Sequence, residues 1–209
     1  MDPNPDNASQ RTRSGAGFEQ PSCLRLWNCA FHRWLTLLVF FGVGLVLASG
    51  QSAPTARQLK TAFLTSFPRY IEWPASAFAA SNSPIVFGVL GDSQLEGELQ
   101  KLITGKSVNG RPLFLKHLAD DDDPAPCHVL FIGAAHQHRA REILAKLQGA
   151  SVLTVGESDD FLDSGGVINL SQRDRRIRLE MNLAAARLSH LTVSAGLLNV
   201  AEIVKGKED

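Results

Sequence analysis

Three short apolar segments alternate with segments of helical periodicity, and this alternation constrains the fold more than any other feature of the chain. Residues 85–90 (IVFGVL), 127–133 (CHVLFIG) and 152–155 (VLTV) are rich in the residues typical of buried strands. Between them, apolar residues recur at helical spacing from Leu95 to Ile103 and from Ile143 to Leu147. This order of elements predicts a right-handed parallel α/β sheet.

A helix before the first strand, a helix cap after it and a further strand complete this pattern. Residues 56–73 carry an amphipathic stripe that predicts a helix, and Pro68 within the stripe should bend or restart it. Asp92 or Ser93 is placed to cap the helix that follows the first strand. Residues 111–118 (RPLFLKHL) alternate weakly and favour a second strand.

The C-terminal part of the chain predicts a hairpin followed by helices. Residues 167–170 and 177–181 alternate on either side of a polar turn, as antiparallel strands do. Gly165 and Gly166 before them favour a tight turn with positive φ. Residues 183–204 have helical character. We therefore expect a single α/β domain that has a mostly parallel sheet, flanking helices and a C-terminal hairpin plus helices.

An uncharged apolar stretch near the N-terminus is typical of a secretory signal peptide. Residues 35–48 (LTLLVFFGVGLVLA) follow Arg33 and are followed by small residues up to Gly50. The pattern predicts a leader and signal peptide over residues 1–50 and an exported domain over residues 51–209. An uncleaved membrane anchor is the alternative, although Arg33 interrupts the extension that a full span would need.

Charge and cysteine content narrow the class of protein further. The chain has 21 Lys and Arg against 21 Asp and Glu, so it is not a nucleic-acid-binding polycation. Of its three cysteines, Cys23 and Cys29 precede the apolar stretch, and only Cys127 lies in the exported part. An intrachain disulfide is therefore not expected there, and the strand context of Cys127 predicts a buried thiol.

A metal site is the first chemical candidate, because histidines and aspartates cluster in the middle of the chain. The cluster comprises His117, Asp120 to Asp123, His128, His136 and His138. His136 and His138 are two residues apart and would point away from each other on a helix, whereas ligand pairs on a helix lie three or four apart. The acidic run lacks the spacing of a calcium loop. The spacing therefore predicts no metal site.

Enzymatic motifs are also missing from the sequence. It contains no G-x-S-x-G, no P-loop and no dinucleotide fingerprint, and its one exported cysteine lies within a strand. We therefore predict neither catalysis nor a cofactor.

A local group of arginines is the strongest candidate for a protein contact. Arg176 and Arg178 should share one face of the last hairpin strand, opposite Ile177 and Leu179. That face could meet an acidic partner, or it could be a solvated edge that protects the strand from aggregation. The apolar residues that could add buried area to such a contact are Leu198 and Ile203.

Six segments, taken in order, resemble the YfiR-like family of periplasmic regulators of inner-membrane diguanylate cyclases. They are FPRYIEWP at 67–74, VFGVLGDS at 86–93, GKSVNGRPL at 105–113, CHVLFIG at 127–133, LTVGESDDFLDSGGVINL at 153–170 and RLEMNLAAARLSHLTVSAGLLNVAEIV at 178–204. The resemblance covers nearly all of the exported domain, and it rests on the joint order and spacing of the segments.

This resemblance implies a periplasmic repressor that is not an enzyme and is often a homodimer. Such a protein binds the periplasmic sensor region of a diguanylate cyclase and represses cyclic-di-GMP synthesis. It thereby controls the formation of biofilm and exopolysaccharide. Family members often pair the cysteine at the Cys127 position with one in the first strand. This chain has Gly88 there, so the resemblance does not extend to that disulfide.

A small-ligand-binding domain without a cyclase partner is the alternative function. Open parallel sheets place their ligands at the carboxyl ends of the strands. Gly91 and Gly133 directly follow two of the predicted strands and would let a ligand approach the backbone.

Overall fold

The structure is a computed structural model that describes residues 54–174 and 176–204. The predicted signal peptide at residues 35–48, its cleavage point after Gly50 and Arg175 lie outside the described residues. Among the residues described, no helix is both long enough and apolar enough to cross a membrane.

Helices and strands alternate along most of the described chain. The helices are α1 (Ala56–Ser66), α2 (Ser93–Ile103), α3 (Ala140–Lys146), α4 (Leu183–Leu188) and α5 (Ala195–Leu198). The strands are β1 (Ile71–Glu72), β2 (Ile85–Leu90), β3 (Ser107–Val108), β4 (Arg111–His117), β5 (Val129–Ile132), β6 (Leu153–Gly156), β7 (Ile168–Arg173), β8 (Arg176–Met181), β9 (Thr192–Val193) and β10 (Glu202–Ile203). Short 3-10 helices span Phe67–Arg69, Ala75–Ala77 and Ala134–Arg139.

Eight of these strands form one sheet in the order β10-β8-β7-β6-β5-β2-β4-β3. Neighbouring strands are parallel except at β7–β8 and β3–β4, which are antiparallel. Strands β1 and β9 form a separate antiparallel pair. The predicted fold class is confirmed, because the structure has a mostly parallel sheet, flanking helices and an appended C-terminal hairpin.

The first two helices begin and end where local side-chain chemistry predicts. The hydroxyl of Thr55 accepts a hydrogen bond from the backbone of Gln58, whose own side chain bonds back to the Thr55 N–H and completes a capping box. Pro68 restarts the chain as a 3-10 helix after α1 ends. Asp92 is the residue that caps α2, and it accepts from the Leu95 N–H at 2.9 Å.

Two predicted helices are shorter than the sequence pattern indicated. The helix expected from residue 136 begins as a 3-10 helix and becomes α-helical only at Ala140. The helices expected over residues 183–204 are confirmed as α4 and α5, but each is short, and the short strands β9 and β10 follow them where helical character was expected. His190 has a positive φ of 56° shortly after α4. Pairing of β10 with β8 then supplies backbone partners that a helix would have left unmade on β8.

Apolar side chains cover both faces of the central sheet. The larger core lies under α1 and α2, and its largest fully buried members include Phe67, Phe87, Phe131 and Leu64. The smaller core lies on the opposite face, under α3 and the loop after β6, and its members include Leu130, Ile132, Leu144 and Phe161. On β7 and β8, one face belongs to the larger core and the opposite face carries polar residues, among them Asn169, Ser171 and Glu180.

The two adjacent glycines before β7 have different structural reasons. Gly165 has a φ of 97°, which confirms the predicted turn at that position. Gly166 does not have a positive φ, so the expectation of a turn conformation was wrong for it. Instead the buried ring of Phe161 packs on Gly166, and a Cβ there would lie 2.1 Å from a ring carbon.

Substituting Gly166 with alanine should destabilise the protein. The added methyl would displace the buried Phe161 ring, and overpacking of this kind costs about 1–3 kcal/mol. Gly97→Ala in α2 is the matched control, because nothing lies within 4 Å of its Cβ and the helix should gain about 0.5–1 kcal/mol. Urea unfolding of both variants tests the pair, and equal effects of the two substitutions would contradict the packing explanation.

Candidate functional site

The outer face of β8 carries the predicted arginines. Arg176 and Arg178 are exposed, whereas Ile177 is half-buried and Leu179 is buried, so the predicted separation of faces is confirmed. The Arg178 guanidinium lies 3.7 Å from the Glu202 carboxylate on β10, and more than half of each side chain is exposed. An exposed ion pair of this kind contributes little to stability.

Leu198 and Ile203, the two apolar residues predicted to join this surface, do not lie on the face that carries the arginines. Ile203 is 46% exposed. Its partner in the ladder is Met181, so Ile203 lies on the sheet face opposite Arg178. Leu198 is half-buried against the larger core. We use the name β8–β10 edge for Arg176, Arg178 and Glu202 on one sheet face together with Ile203 on the opposite face.

A row of buried polar side chains lies beside the arginines on the same sheet face. The Glu180 carboxylate accepts hydrogen bonds from the Asn169 amide and the Ser171 hydroxyl, each at 3.0 Å. The Arg173 guanidinium lies 3.9 Å from the same carboxylate. Because these bonds join β7 to β8 across the sheet, the strand that displays Arg178 is held in one orientation.

The carboxyl ends of β2 and β5, where the alternative function would place a ligand, are closely packed. A Cβ at Gly133 would lie 3.1 Å from the Gly91 carbonyl oxygen. The Glu157 carboxylate accepts from the Ala134 N–H at 2.6 Å and pairs with the Lys60 ammonium. The chain's own carboxylate therefore takes the position that an anionic ligand group would occupy at this edge.

Three of the four clustered histidines have separate hydrogen-bond partners, and the His138 ring stacks on that of His136. The His117 ring lies 2.8 Å from the Glu96 carboxylate, and the His136 ring lies 2.9 Å from the Asp120 carboxylate. His128 uses both ring nitrogens within the fold. Within residues 54–174 and 176–204, no three potential metal-ligating side chains converge.

His128 is held in its neutral form by its surroundings. Its Nδ1 accepts from the Val86 N–H and its Nε2 donates to the Ala77 carbonyl, both at 3.1 Å. Burial lowers the pKa of His128, the Ala77 bond opposes that shift, and the Arg111 charge lowers the pKa further.

The depressed pKa of His128 makes stability depend on pH. The unfolded chain takes up a proton near pH 6.5 while folded His128 stays neutral, so unfolding free energy should fall as pH drops from above 6.5 towards the folded pKa. His128→Gln should lose this part of the dependence. Glu96 raises the pKa of His117, and His117 titrates in the natural protein and in the variant alike. The difference between the two pH dependences of stability therefore isolates His128. Parallel stability curves between pH 7.5 and 5 would contradict this account.

Cys127 is a buried thiol, as its strand context predicted. It is 2% exposed, and burial raises its pKa to about 11, so the reactive thiolate is scarce at neutral pH. Gly88 lies directly against it, and a Cβ at Gly88 would be 2.7 Å from the Cys127 Sγ. Cys127 is the one cysteine of the described residues and is free there.

A group of aromatic and cationic side chains at the amino ends of the strands was not predicted from the sequence. The Phe78 ring stacks on His128 with centroids 4.5 Å apart, and Trp73 contacts His128 edge-on at 6.2 Å. The Arg111 guanidinium lies 3.6 Å from the centroid of the Phe78 ring. These residues come from separate segments of the chain, so no local spacing indicates that they meet.

Comparison with known families gives one relevant finding. The model of a family described as YfiR/HmsC-like matches residues 57–202, which is more than two thirds of the chain. Comparison with curated proteins gives no match. The resemblance found from the six sequence segments is therefore confirmed at the level of the family.

Proposed function

This chain belongs to the YfiR/HmsC-like family, whose members are periplasmic regulators of cyclic-di-GMP signalling and not enzymes, and we propose that it represses an inner-membrane diguanylate cyclase. It does so by binding the periplasmic sensor region of the cyclase. Lower cyclic-di-GMP then restrains biofilm and exopolysaccharide formation. The family match is the observation that carries this proposal.

Repression of this kind works by selecting one state of the partner. The cyclase exchanges between active and inactive conformations, and a protein that binds the inactive one more tightly shifts the population towards it. The shift cannot exceed the difference in affinity for the two states. The chain therefore needs a stable surface rather than a catalytic group.

The β8–β10 edge supports the proposal as the contact surface. Arg176 is exposed, and in the part of the chain that the structure describes it has no carboxylate within 4.0 Å. Arg178 has one carboxylate neighbour, Glu202, in an exposed pair. Two cations on a rigid strand would steer an acidic sensor domain towards the face of this edge that carries them. Ile203 lies on the opposite sheet face and would add buried apolar area there, to the cyclase contact or to a second copy. Leu198 would contribute only if α5 shifted, because it is already half-buried.

We also propose that the protein is a homodimer formed through its C-terminal part. The apolar residues exposed there are Leu188 at 62%, Val200 at 68% and Ile203 at 46%. Large apolar side chains that stay exposed in one chain can be buried in a second copy. Sedimentation of the periplasmic protein tests the dimer independently of the cyclase.

The regulatory proposal is tested by binding and by cyclic-di-GMP content together. The purified periplasmic protein should be captured by the periplasmic sensor domain of a cyclase from its own genome, and not by that of an unrelated receptor. Cells that lack the protein should contain more cyclic-di-GMP than complemented cells. Failure to capture any sensor domain, with unchanged cyclic-di-GMP, would reject the proposal and favour a ligand-binding domain without a cyclase partner.

A further inference from the structure

A cavity of about 310 Å³ lies at the amino ends of β2 and β4, remote in sequence from the β8–β10 edge. Its walls include Pro68, Ile71, Phe78, Trp73 and Arg111. The volume falls at the lower end of the range for small-molecule sites, and the mixture of apolar walls with a few polar groups is typical of them.

Arg111 supplies a fixed positive charge to this cavity. Its guanidinium stacks on Phe78, and one nitrogen donates to the carbonyls of Ala80 and Ser83 at 3.1 Å and 3.0 Å. Among residues 54–174 and 176–204, no carboxylate lies within 4.0 Å of it. The guanidinium is therefore held in place by carbonyls and a ring, and its charge is not neutralised by an ion pair.

Trp73 supplies a second donor without a partner. Its indole N–H is buried and makes no hydrogen bond to any of the described residues. Buried donors in native proteins nearly always have an acceptor, because an unmade hydrogen bond is costly. Trp73 also lines the cavity, so an acceptor that enters there would satisfy this N–H if the indole shifts to expose it.

We infer that this cavity binds a small apolar molecule that carries one carboxylate. The carboxylate is recognised by the remaining N–H groups of Arg111, the Trp73 ring forms part of the wall, and the apolar part packs against Pro68 and Ile71. Glu72 also borders the cavity, and its negative charge disfavours a ligand with a second carboxylate. This site does not depend on whether the chain binds a cyclase.

The larger cavity of about 530 Å³ between α3 and α4 lacks comparable recognition groups. Its buried amide, Asn182, already accepts from the Ala185 N–H and donates to the Leu162 carbonyl. The charged side chains that line it, Arg141 and Asp163, are exposed. Within the described part of the chain, the partly buried guanidinium without an ion pair and the unpartnered indole N–H are therefore at the smaller cavity.

Matched acids and amides test the inference directly. Hexanoate, phenylacetate and cyclohexanecarboxylate are titrated into the purified protein by calorimetry, each beside its own amide. The acids should bind saturably and the amides roughly tenfold to a hundredfold more weakly, because the charge-assisted bond to Arg111 is lost. Trp73 is the only tryptophan after residue 53, so its fluorescence should change with the same midpoint, and Trp73→Phe should abolish that signal.

Three variants separate this site from nonspecific binding. Arg111→Gln should weaken acid binding to the level of the amides, whereas Arg187→Gln, on an exposed face of α4, should leave it unchanged. Ala75 lines the cavity, so the larger side chain of Ala75→Phe should occupy part of it while keeping Arg111, and it should weaken binding even if Arg111→Gln fails to fold by circular dichroism. Equal affinity for acids and amides, no binding of any of the three acids, or full binding by Ala75→Phe would overturn the inference.

Discussion

Gly88→Cys should give a protein whose stability depends strongly on redox conditions, whereas residues 51–209 of the natural chain, with Cys127 as their one cysteine, should show no such dependence. Gly88 and Cys127 lie on adjacent segments of the smaller core, and a Cβ at Gly88 would be 2.7 Å from the Cys127 Sγ. The two side chains would therefore be in contact, as the two halves of a disulfide must be. The new thiol therefore has one partner, directly beside it.

The expected effect has two opposing parts. The reduced variant should be about 1–3 kcal/mol less stable than the natural protein, because its side chain crowds Leu118, whose Cδ1 lies 2.5 Å from the added Cβ. Oxidation closes a loop of about 40 residues, which stabilises the folded state by about 4 kcal/mol in the chain-entropy model. Melting temperatures of the oxidised and reduced variant should then differ by about 10 °C.

Two controls assign this redox dependence to the disulfide. Gly88→Ser introduces similar crowding without a thiol, so it should melt like the reduced variant under all conditions. Gly88→Cys with Cys127→Ser should also lose the redox dependence. Thiol titration under denaturing conditions counts the free cysteines, and two free thiols in the oxidised variant would contradict the predicted pairing.

The sequence predicted best those elements whose determinants are local. The strand over Ile85–Leu90 has the predicted bounds because a continuous apolar run is stopped at once by Gly91 and by the helix cap Asp92. The β7–β8 hairpin follows from alternation in both strands. Burial of Cys127 follows from the apolar run that surrounds it. In each case the residues that decide the structure are neighbours in the chain.

The errors and omissions have long-range causes. The chain near residue 203 has helical periodicity, but β10 forms there because β8, more than twenty residues earlier, offers an unpaired edge. Gly166 is required by the ring of Phe161 and not by its own turn. The cavity at Trp73 and Arg111 combines distant segments. Tertiary contacts of this kind leave no periodic signal in a single sequence.

Reversing both charges at Arg176 and Arg178 should produce the largest effect on regulation. If the β8–β10 edge contacts an acidic sensor domain, Arg176→Glu with Arg178→Glu replaces two attractions with two repulsions. Binding should weaken by about a hundredfold, because close charge pairs across interfaces contribute on the order of 1.5 kcal/mol or more each. Cyclic-di-GMP in cells should rise towards the level seen without the protein.

The fold should survive this double substitution. Both side chains are exposed, and surface charges usually change stability by less than about 0.5 kcal/mol. Glutamate at position 178 would face Glu202, so a circular-dichroism melt must show that β10 is not destabilised beyond this small amount. Arg69→Glu with Arg187→Glu is the matched control, because it makes the same change in net charge at exposed residues away from this edge.

Ionic strength distinguishes steering at this edge from a general effect of charge. Association of the natural protein with the sensor domain should slow as salt increases, because screening shortens the reach of the arginines to about 10 Å at 0.1 M salt. The Arg176 and Arg178 variant should lose that dependence, whereas the Arg69 and Arg187 control should keep it. Surface plasmon resonance at several salt concentrations measures the association rate of each protein. Unchanged binding by the well-folded double variant would exclude the arginine face from the interface.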